Sequence, residues 1–87
     1  MPGVARVGVD TAGGVITGPG EPSVLVNSSA VSVIGDSVAS HGSSPHNAAT
    51  MVGGSTTVFA GGVGVVRAGD AASCGHTATG ASNVNAN

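Results

Sequence analysis

The side chains of this sequence that best bind transition metals fall into two local groups. His41 and His46 lie five residues apart, and a single residue separates Cys74 from His76. These are all the histidines of the chain and its only cysteine. Three imidazole nitrogens and one thiolate make a tetrahedral donor set that suits Zn²⁺ better than Mg²⁺ or Ca²⁺. Four protein ligands would close the coordination shell, so we predict one structural Zn²⁺.

The donors lie where the chain departs from a repeated pattern. Counted from the aspartates, Cys74 falls opposite Gly14 and His76 opposite Ile16, so these donors are not part of the generic repeat. The alternative, that one free cysteine and three exposed histidines are incidental, is disfavoured by this placement. In each copy of the repeat an aspartate is followed by a matching valine. The spacing is fourteen residues from Asp10 to Val24 and from Asp70 to Val84, but twenty-two from Asp36 to Val58. The central copy therefore carries an eight-residue insertion, and its loop contains two of the histidines.

The length and composition indicate a single domain, residues 1–87, with a small hydrophobic core. The pseudo-repeats cover about residues 4–30, 31–64 and 65–87. Phe59 is the only aromatic residue, and the apolar residues are mainly valine and alanine. Such a chain buries little apolar surface, so we expect a metal, a partner or both to stabilise it. A structural zinc site contributes about 10–16 kcal/mol of apparent binding energy, which is enough for this purpose.

Short alternating groups of valines bounded by glycines predict an all-β fold with short strands and tight turns. The last copy lacks a return strand, so we expect three units to close around one axis, with the N-terminal strand supplying the missing pairing. The expected elements are a first strand over Met1–Asp10, a glycine-rich reversal over Thr11–Gly20, a hairpin over Val24–Asp36 turning at Ser28-Ser29, a histidine loop over Ser37–Gly53, and a hairpin over Val58–Asp70 turning at Gly61-Gly62.

The charges exclude one class of function. Lysine is absent and the only arginines are Arg6 and Arg67. Binding to a phosphate backbone takes several cations on one face, so a nucleic-acid partner is not expected. No apolar run approaches eighteen residues, and no secretory signal peptide is recognisable. A single cysteine indicates synthesis in a reducing compartment.

A serine hydrolase is the enzymatic alternative, because serines are plentiful and each aspartate could orient a histidine. However, Asp10, Asp36 and Asp70 occupy equivalent positions, which indicates a shared role in capping backbone amides at turns. No Gly-x-Ser-x-Gly elbow is present. We therefore predict that the chain is not an enzyme.

Three motifs resemble the PAAR-repeat family, whose motif is Pro-Ala-Ala-Arg-x-Gly-Asp. The first, Val4-Ala5-Arg6-Val7-Gly8, keeps Ala, Arg and Gly and reaches its aspartate one residue late. The second, Val31-Ser32-Val33-Ile34-Gly35-Asp36, keeps Gly-Asp, and the third, Val65-Val66-Arg67-Ala68-Gly69-Asp70, keeps Arg-x-Gly-Asp. The proline is absent from all three. The resemblance covers nearly the whole chain and includes the Gly-x-x-x-Val element and the His…His…Cys-x-His series.

The resemblance implies a small cone that caps the spike of a contractile injection machine and pierces membranes. Zinc would be held near the vertex by the four donors, His41, His46, Cys74 and His76. The base would sit on a homotrimeric β-helical spike, one copy per trimer, through equivalent apolar positions at Val24, Val58 and Val84. The tip would touch the target envelope transiently.

The machine implied is a contractile phage tail, because the chain is minimal and its motif has drifted from the family pattern. The chain starts at Met1 with the first strand and ends at Asn87, so we expect no effector extension. It would be made in the bacterial cytoplasm and end in the virion, at the tip of the tail spike on the baseplate. The alternatives are a type VI secretion spike tip and a generic small zinc-stabilised binding module.

Overall fold

The computed structural model describes residues 3–42, 48–81 and 84–86 and shows an all-β chain. Within these ranges there is no helix, in agreement with the predicted fold class. The strands form one three-stranded sheet, in the order β1-β2-β5, and two hairpins, β3-β4 and β6-β7. They are β1 Thr11–Ala12, β2 Gly14–Gly18, β3 Glu21–Val26, β4 Ser29–Val31, β5 Ser37–Val38, β6 Phe59–Ala60 and β7 Val63–Gly64.

The two predicted hairpins are confirmed. In the first, β3 and β4 are joined by Asn27 and Ser28, which have φ values of 52° and 72°. In the second, Gly61 and Gly62 have φ values of 59° and 81° and join β6 to β7. Positive φ at both central residues matches the twist of paired strands and favours such two-residue turns. The first turn lies one residue earlier than predicted.

The N-terminal segment is not the continuous strand predicted for Met1–Asp10. Its first two residues lie outside the described ranges, and Val4 and Arg6 form isolated bridges with Arg67 and Val31. Residues 7–9 form a turn, because the Asp10 carboxylate accepts a hydrogen bond from the backbone amide of Arg6 at 2.9 Å. The carboxylate thus closes the turn where a strand was expected.

The segment Thr11–Gly20, predicted as an irregular reversal, contains paired strands. β1 pairs with β2 across a turn at Gly13. β2 also pairs with β5, and Ile16 lies opposite Val38. This second pairing joins distant parts of the chain, so local sequence patterns do not reveal it.

Three segments meet in a closed ring of backbone hydrogen bonds. Ala5 donates its amide to the carbonyl of Val66 at 2.9 Å, Val66 donates to Ser32 at 2.9 Å, and Ser32 donates to Ala5 at 3.0 Å. All three residues are fully buried. Each segment therefore donates to one neighbour and accepts from the other, which confirms closure around a single axis.

The two ends of the chain pair with each other. Gly3 forms an antiparallel bridge with Asn85, and the amide of Val4 donates to the carbonyl of Val84 at 2.8 Å. Ala81 donates to the carbonyl of Val4 at 2.9 Å. The N-terminal segment thus supplies the partner that the last copy lacks, as predicted. This end pairing occupies the place of a third hairpin.

The core consists of two clusters, to which successive residues contribute alternately. Val4 and Val65 belong to one cluster, whereas Ala5 and Val66 belong to the other, because side chains alternate across an extended chain. The metal-side cluster, against which Cys74 packs, comprises Ala5, Ala12, Ile16, Val38, Ala49, Met51, Val66, Ala72 and Ala78. The hairpin-side cluster comprises Val4, Val26, Val31, Val33, Ala60, Val65, Ala81 and Ala86.

The three aspartates cap turns, as predicted from their equivalent positions. Asp10 accepts a hydrogen bond from the backbone amide of Arg6 at 2.9 Å, and Asp70 accepts one from the backbone amide of Arg67 at 2.7 Å. Each aspartate also forms an ion pair with the guanidinium of the same arginine. Asp36 accepts the amide of Val33 at 2.9 Å. With the carboxylates held in this way, the structure gives them a role in folding.

The environment of Asp10 lowers its pKa. Burial alone would raise the pKa, but hydrogen bonds from the Arg6 side chain, the Thr79 hydroxyl and the Arg6 amide, together with the charge of Arg6, outweigh burial. A carboxyl whose pKa is lower in the folded state stabilises the fold above its unfolded pKa. This stabilisation is lost as the pH falls through the lowered pKa.

We therefore expect Asp10→Asn to destabilise the fold at neutral pH. The substitution should lower the free energy of unfolding by about 1–3 kcal/mol, because it removes hydrogen bonds to a charged acceptor. Denaturant unfolding of both proteins at neutral pH and saturating zinc tests this, because acid would also release a metal held by histidine and cysteine. An unchanged free energy of unfolding would contradict the assignment.

Candidate metal centre

Three of the predicted ligands come together at one point. Nε2 of His41 lies 3.0 Å from Nδ1 of His76. Sγ of Cys74 lies 3.5 Å from the first nitrogen and 3.6 Å from the second. A tetrahedral zinc with bonds of about 2.0–2.1 Å to nitrogen and about 2.3 Å to sulfur places its ligand atoms about 3.3–3.6 Å apart. The two sulfur–nitrogen distances match this range, and the nitrogen–nitrogen distance is about 0.3 Å shorter, so a small separation of the two rings would fit the donors to a metal ion such as zinc.

The fourth predicted ligand, His46, lies outside the described residues. Of the residues that are described, the group able to hold a metal ion consists of His41, Cys74 and His76. Two of these come from the predicted Cys-x-His pair and one from the histidine loop. The three described residues that could hold an ion are thus all among the four predicted ligands.

The sheet β1-β2-β5 positions His41. Ala39 follows β5 directly, and its amide donates to the carbonyl of Val15 in β2 at 2.7 Å. Nδ1 of His41 in turn donates to the carbonyl of Ala39 at 2.8 Å. Because Nδ1 is engaged with this carbonyl, Nε2 is the nitrogen that faces the other two donors, and this kind of backbone contact commonly orients metal-binding histidines.

A tight turn positions Cys74 and His76. The amide of Ala72 donates to the carbonyl of His76 at 2.8 Å, and Gly75, with a φ of 94°, donates to the carbonyl of Ala72 at 3.0 Å. Ala71 forms an antiparallel bridge with Thr77 just outside the turn. The reversal brings both side chains of the Cys-x-His pair to the same side.

The site lies at the surface of the metal-side cluster. Cys74 and His41 are half-buried, whereas His76 is exposed. The Cys74 side chain therefore rests on apolar side chains, and solvent reaches the site from the side of His76. Binding an ion here would tie the histidine loop to the 71–77 turn.

The predicted partner-binding valines lie in or beside the two hairpins and in the end pairing. Val24 and Val58 are exposed at 41% and 37%, and Val84 is half-buried against the hairpin-side cluster. Their neighbours Leu25 and Phe59 are more exposed, at 63% and 58%, and were not among the predicted residues. The signal in the sequence was available, because these are the largest apolar side chains of the two hairpins.

The fold and the site define a small all-β protein closed around a three-membered backbone ring, with a candidate metal centre of one cysteine and two histidines on one side. A family model described as PAAR motif matches residues 7–80. The chain belongs to the PAAR-motif family. No curated protein matches the chain at a significant level.

The family gives the class of function. Members are structural proteins at the spike tips of contractile injection systems, in phage tails or secretion machines, and this chain is of that class. They bind the tip of the spike. Within the described residues, no helix is long and apolar enough to cross a membrane.

Proposed function

We propose that one copy of this chain caps the end of a homotrimeric β-helical spike and leads its penetration of a target envelope. The observation that carries the proposal is the ring of Ala5, Ser32 and Val66, in which three segments of one chain make the same contacts in turn. Such a chain offers three similar surfaces to a partner with three-fold symmetry. The metal centre strengthens the leading end.

The hairpin side is the proposed docking surface. Val26 of the first hairpin and Ala60 of the second are both buried in the hairpin-side cluster, and Ala86 from the end pairing lies beside them. Val24 precedes Val26 by two residues, and Val58 precedes Ala60 by two residues. The two exposed valines therefore occupy equivalent positions in the two hairpins. Exposed apolar side chains arranged in this way are typical of a surface that a partner covers.

Mass measurement of the assembled complex tests the stoichiometry. The purified spike trimer of the same injection system is mixed with an excess of this chain, and the complex is weighed by native mass spectrometry. One copy per trimer is expected, because one chain already presents all three surfaces. Three copies per trimer would refute this arrangement.

A charge on the docking surface should abolish capture by the spike. We expect Val58→Asp to weaken binding by at least about 30-fold, since burying an unpaired charge at such a contact costs about 2 kcal/mol or more. The metal content should not change, because Cys74 packs on the metal-side cluster, whereas Val58 precedes Ala60 of the hairpin-side cluster. Binding to immobilised spike and elemental analysis measure the two effects.

Val52→Asp is the matched control. Val52 is also an exposed valine, at 55%, but it follows Met51 of the metal-side cluster. Val52→Asp should therefore bind the spike like the wild type. Equal loss of capture by both variants would place the docking surface elsewhere.

The proposed ion is one structural Zn²⁺ per chain, held by His41, His46, Cys74 and His76. The mutual distances of the three described donors support it. A shell closed by four protein ligands leaves no position for a substrate, which accords with a protein that performs no reaction. Zinc would hold the loops of the leading end together.

The proposed machine is a contractile phage tail. The loss of the family's proline from all three motifs supports this choice over a type VI secretion system. Mass spectrometry of purified virions should then detect the chain. Its recovery only from material released by a type VI system would assign it to that machine instead.

A further inference from the structure

Gly13 lies against the metal centre. It forms the turn between β1 and β2 and has a φ of 86°. A Cβ atom at this position would fall 2.6 Å from Nε2 of His41 and closer still to Nδ1 of His76. These are the two nitrogens that face each other across the centre.

The missing side chain leaves open the space beside the two nitrogens that would bind an ion. A zinc bound to both nitrogens lies about 2.0–2.1 Å from each. A Cβ on Gly13 would lie 2.6 Å from Nε2 of His41 and closer to Nδ1 of His76, so a side chain there would push apart or turn the nitrogens that hold the ion. The conformational freedom of glycine alone does not account for this position, because the contact is with metal donors.

Gly14 lies against the contact that orients His41. A Cβ here would collide with the carbonyl oxygen of Ala39 and fall 2.9 Å from Nδ1 of His41. These two atoms form the hydrogen bond that keeps the proton on Nδ1. A side chain at Gly14 would therefore turn the ring away without touching the ion.

We propose that Gly13 and Gly14 are positioning residues of the metal centre, and that the β1–β2 turn forms its wall. The inference rests on the proposed metal function. The donors come from the histidine loop and the 71–77 turn, whereas the wall comes from the first part of the chain. Metal binding therefore fixes the β1–β2 hairpin against the other two segments, although the hairpin supplies no ligand.

The variant Gly13→Ala tests the proposal, with Gly69→Ala as its control. Gly69 has a similar φ of 91°, and a Cβ there would meet nothing within 4 Å. Alanine at either position is strained to a similar extent, because both residues have positive φ. A difference in zinc affinity between the two variants therefore reports the contact of the new side chain with the donors. Zinc affinity is measured by competition with a chromogenic chelator, and the geometry by the absorption spectrum of the Co²⁺-loaded proteins.

Gly13→Ala should bind zinc at least about 100-fold more weakly than Gly69→Ala and show an altered Co²⁺ spectrum. Gly14→Ala should also weaken binding, by about 10-fold or more. Equal affinity and equal spectra for Gly13→Ala and Gly69→Ala would overturn the proposal. If the wild type and Gly69→Ala bind no metal either, the metal function itself fails, and that result is distinguishable from this one.

A folding titration covers the case in which Gly13→Ala is isolated unfolded. Circular dichroism is followed while zinc is added to the wild type, Gly13→Ala and Gly69→Ala. Gly13→Ala should need at least about 100-fold more zinc than Gly69→Ala to fold, or fail to fold. Folding of both variants at the same zinc concentration would overturn the proposal.

Discussion

Removal of the metal is expected to unfold this chain at room temperature. The largest fully buried apolar side chains are Ile16, Met51, Val31 and Val66, and the rest of both clusters is mainly alanine and valine. Folded domains are typically stable by only about 5–15 kcal/mol, and a structural zinc contributes about 10–16 kcal/mol. The loss of the ion should therefore remove most or all of the stability.

Two treatments test this expectation. Chelator added to the purified protein should abolish the cooperative thermal transition, and Cys74→Ala should give the same result without chelator. Thr77→Ala, an exposed substitution in the same region of the chain, is the control and should change the free energy of unfolding by less than about 0.5 kcal/mol. Elemental analysis of untreated protein should find one zinc per chain, whereas one iron would change the identity of the ion only.

Unchanged melting after complete removal of the metal would show that the core stabilises itself. Retention of zinc with unchanged affinity by Cys74→Ala would remove the thiolate from the coordination shell. The same measurement on His46→Ala decides whether this residue is the fourth ligand. If Cys74→Ala loses the metal and His46→Ala keeps it, the protein ligands are His41, Cys74 and His76. The fourth coordination position would then be taken by a ligand other than His46.

The sequence predicted the two hairpins and the three candidate donors that the structure brings together, because each has a strong local signal. Short apolar runs around Gly61-Gly62 leave few other ways to pair the chain. The soft donors are so few that His41, Cys74 and His76 had no competitors. Closure of the ends followed from counting half-units, since an unpaired last half requires a partner.

Other features were hidden because they depend on contacts between distant segments. Gly13-Gly14 has the same composition as Gly61-Gly62, and only the tertiary structure shows that the first pair lies against metal donors. Likewise, the pairing of β2 with β5 places Val15 against Ala39, twenty-four residues away. A local pattern of residue types predicts where the chain turns, but it does not show which distant residues contact that turn.

Alignment from the aspartates also misplaced one residue. It set His76 opposite Ile16. In the structure, however, the backbone amide of Ile16 donates to the carbonyl of Asp10, and the backbone amide of Ala78 donates in the same way to the carbonyl of Asp70. Ala78, not His76, is therefore the equivalent of Ile16. The 71–77 turn is therefore longer than its counterpart, and the following segment is shorter by the same amount. Equal spacing between aspartate and valine concealed two compensating changes.

Asp36→Ala is expected to destabilise the fold by about 3–5 kcal/mol. Asp36 is 2% exposed, and the two arginines of the chain pair with the other aspartates. Its oxygens instead accept hydrogen bonds from Gly20 N at 3.0 Å, Ser32 Oγ at 2.8 Å and Val33 N at 2.9 Å. Truncation would leave three buried donors without an acceptor, each at a cost of about 1–3 kcal/mol before relaxation.

Asp36→Asn separates the role of the acceptors from that of packing. Asparagine fills nearly the same volume, but one of its two terminal groups is a donor and would face donors already in place. We therefore expect Asp36→Asn to lose at least half as much stability as Asp36→Ala. Glu21→Ala, at a less buried carboxylate, serves as the control and should change stability by less than about 1 kcal/mol. Denaturant unfolding at saturating zinc measures all three variants with the metal contribution held constant. A loss below about 1 kcal/mol for Asp36→Ala would mean that the backbone ring holds the central turn without its carboxylate.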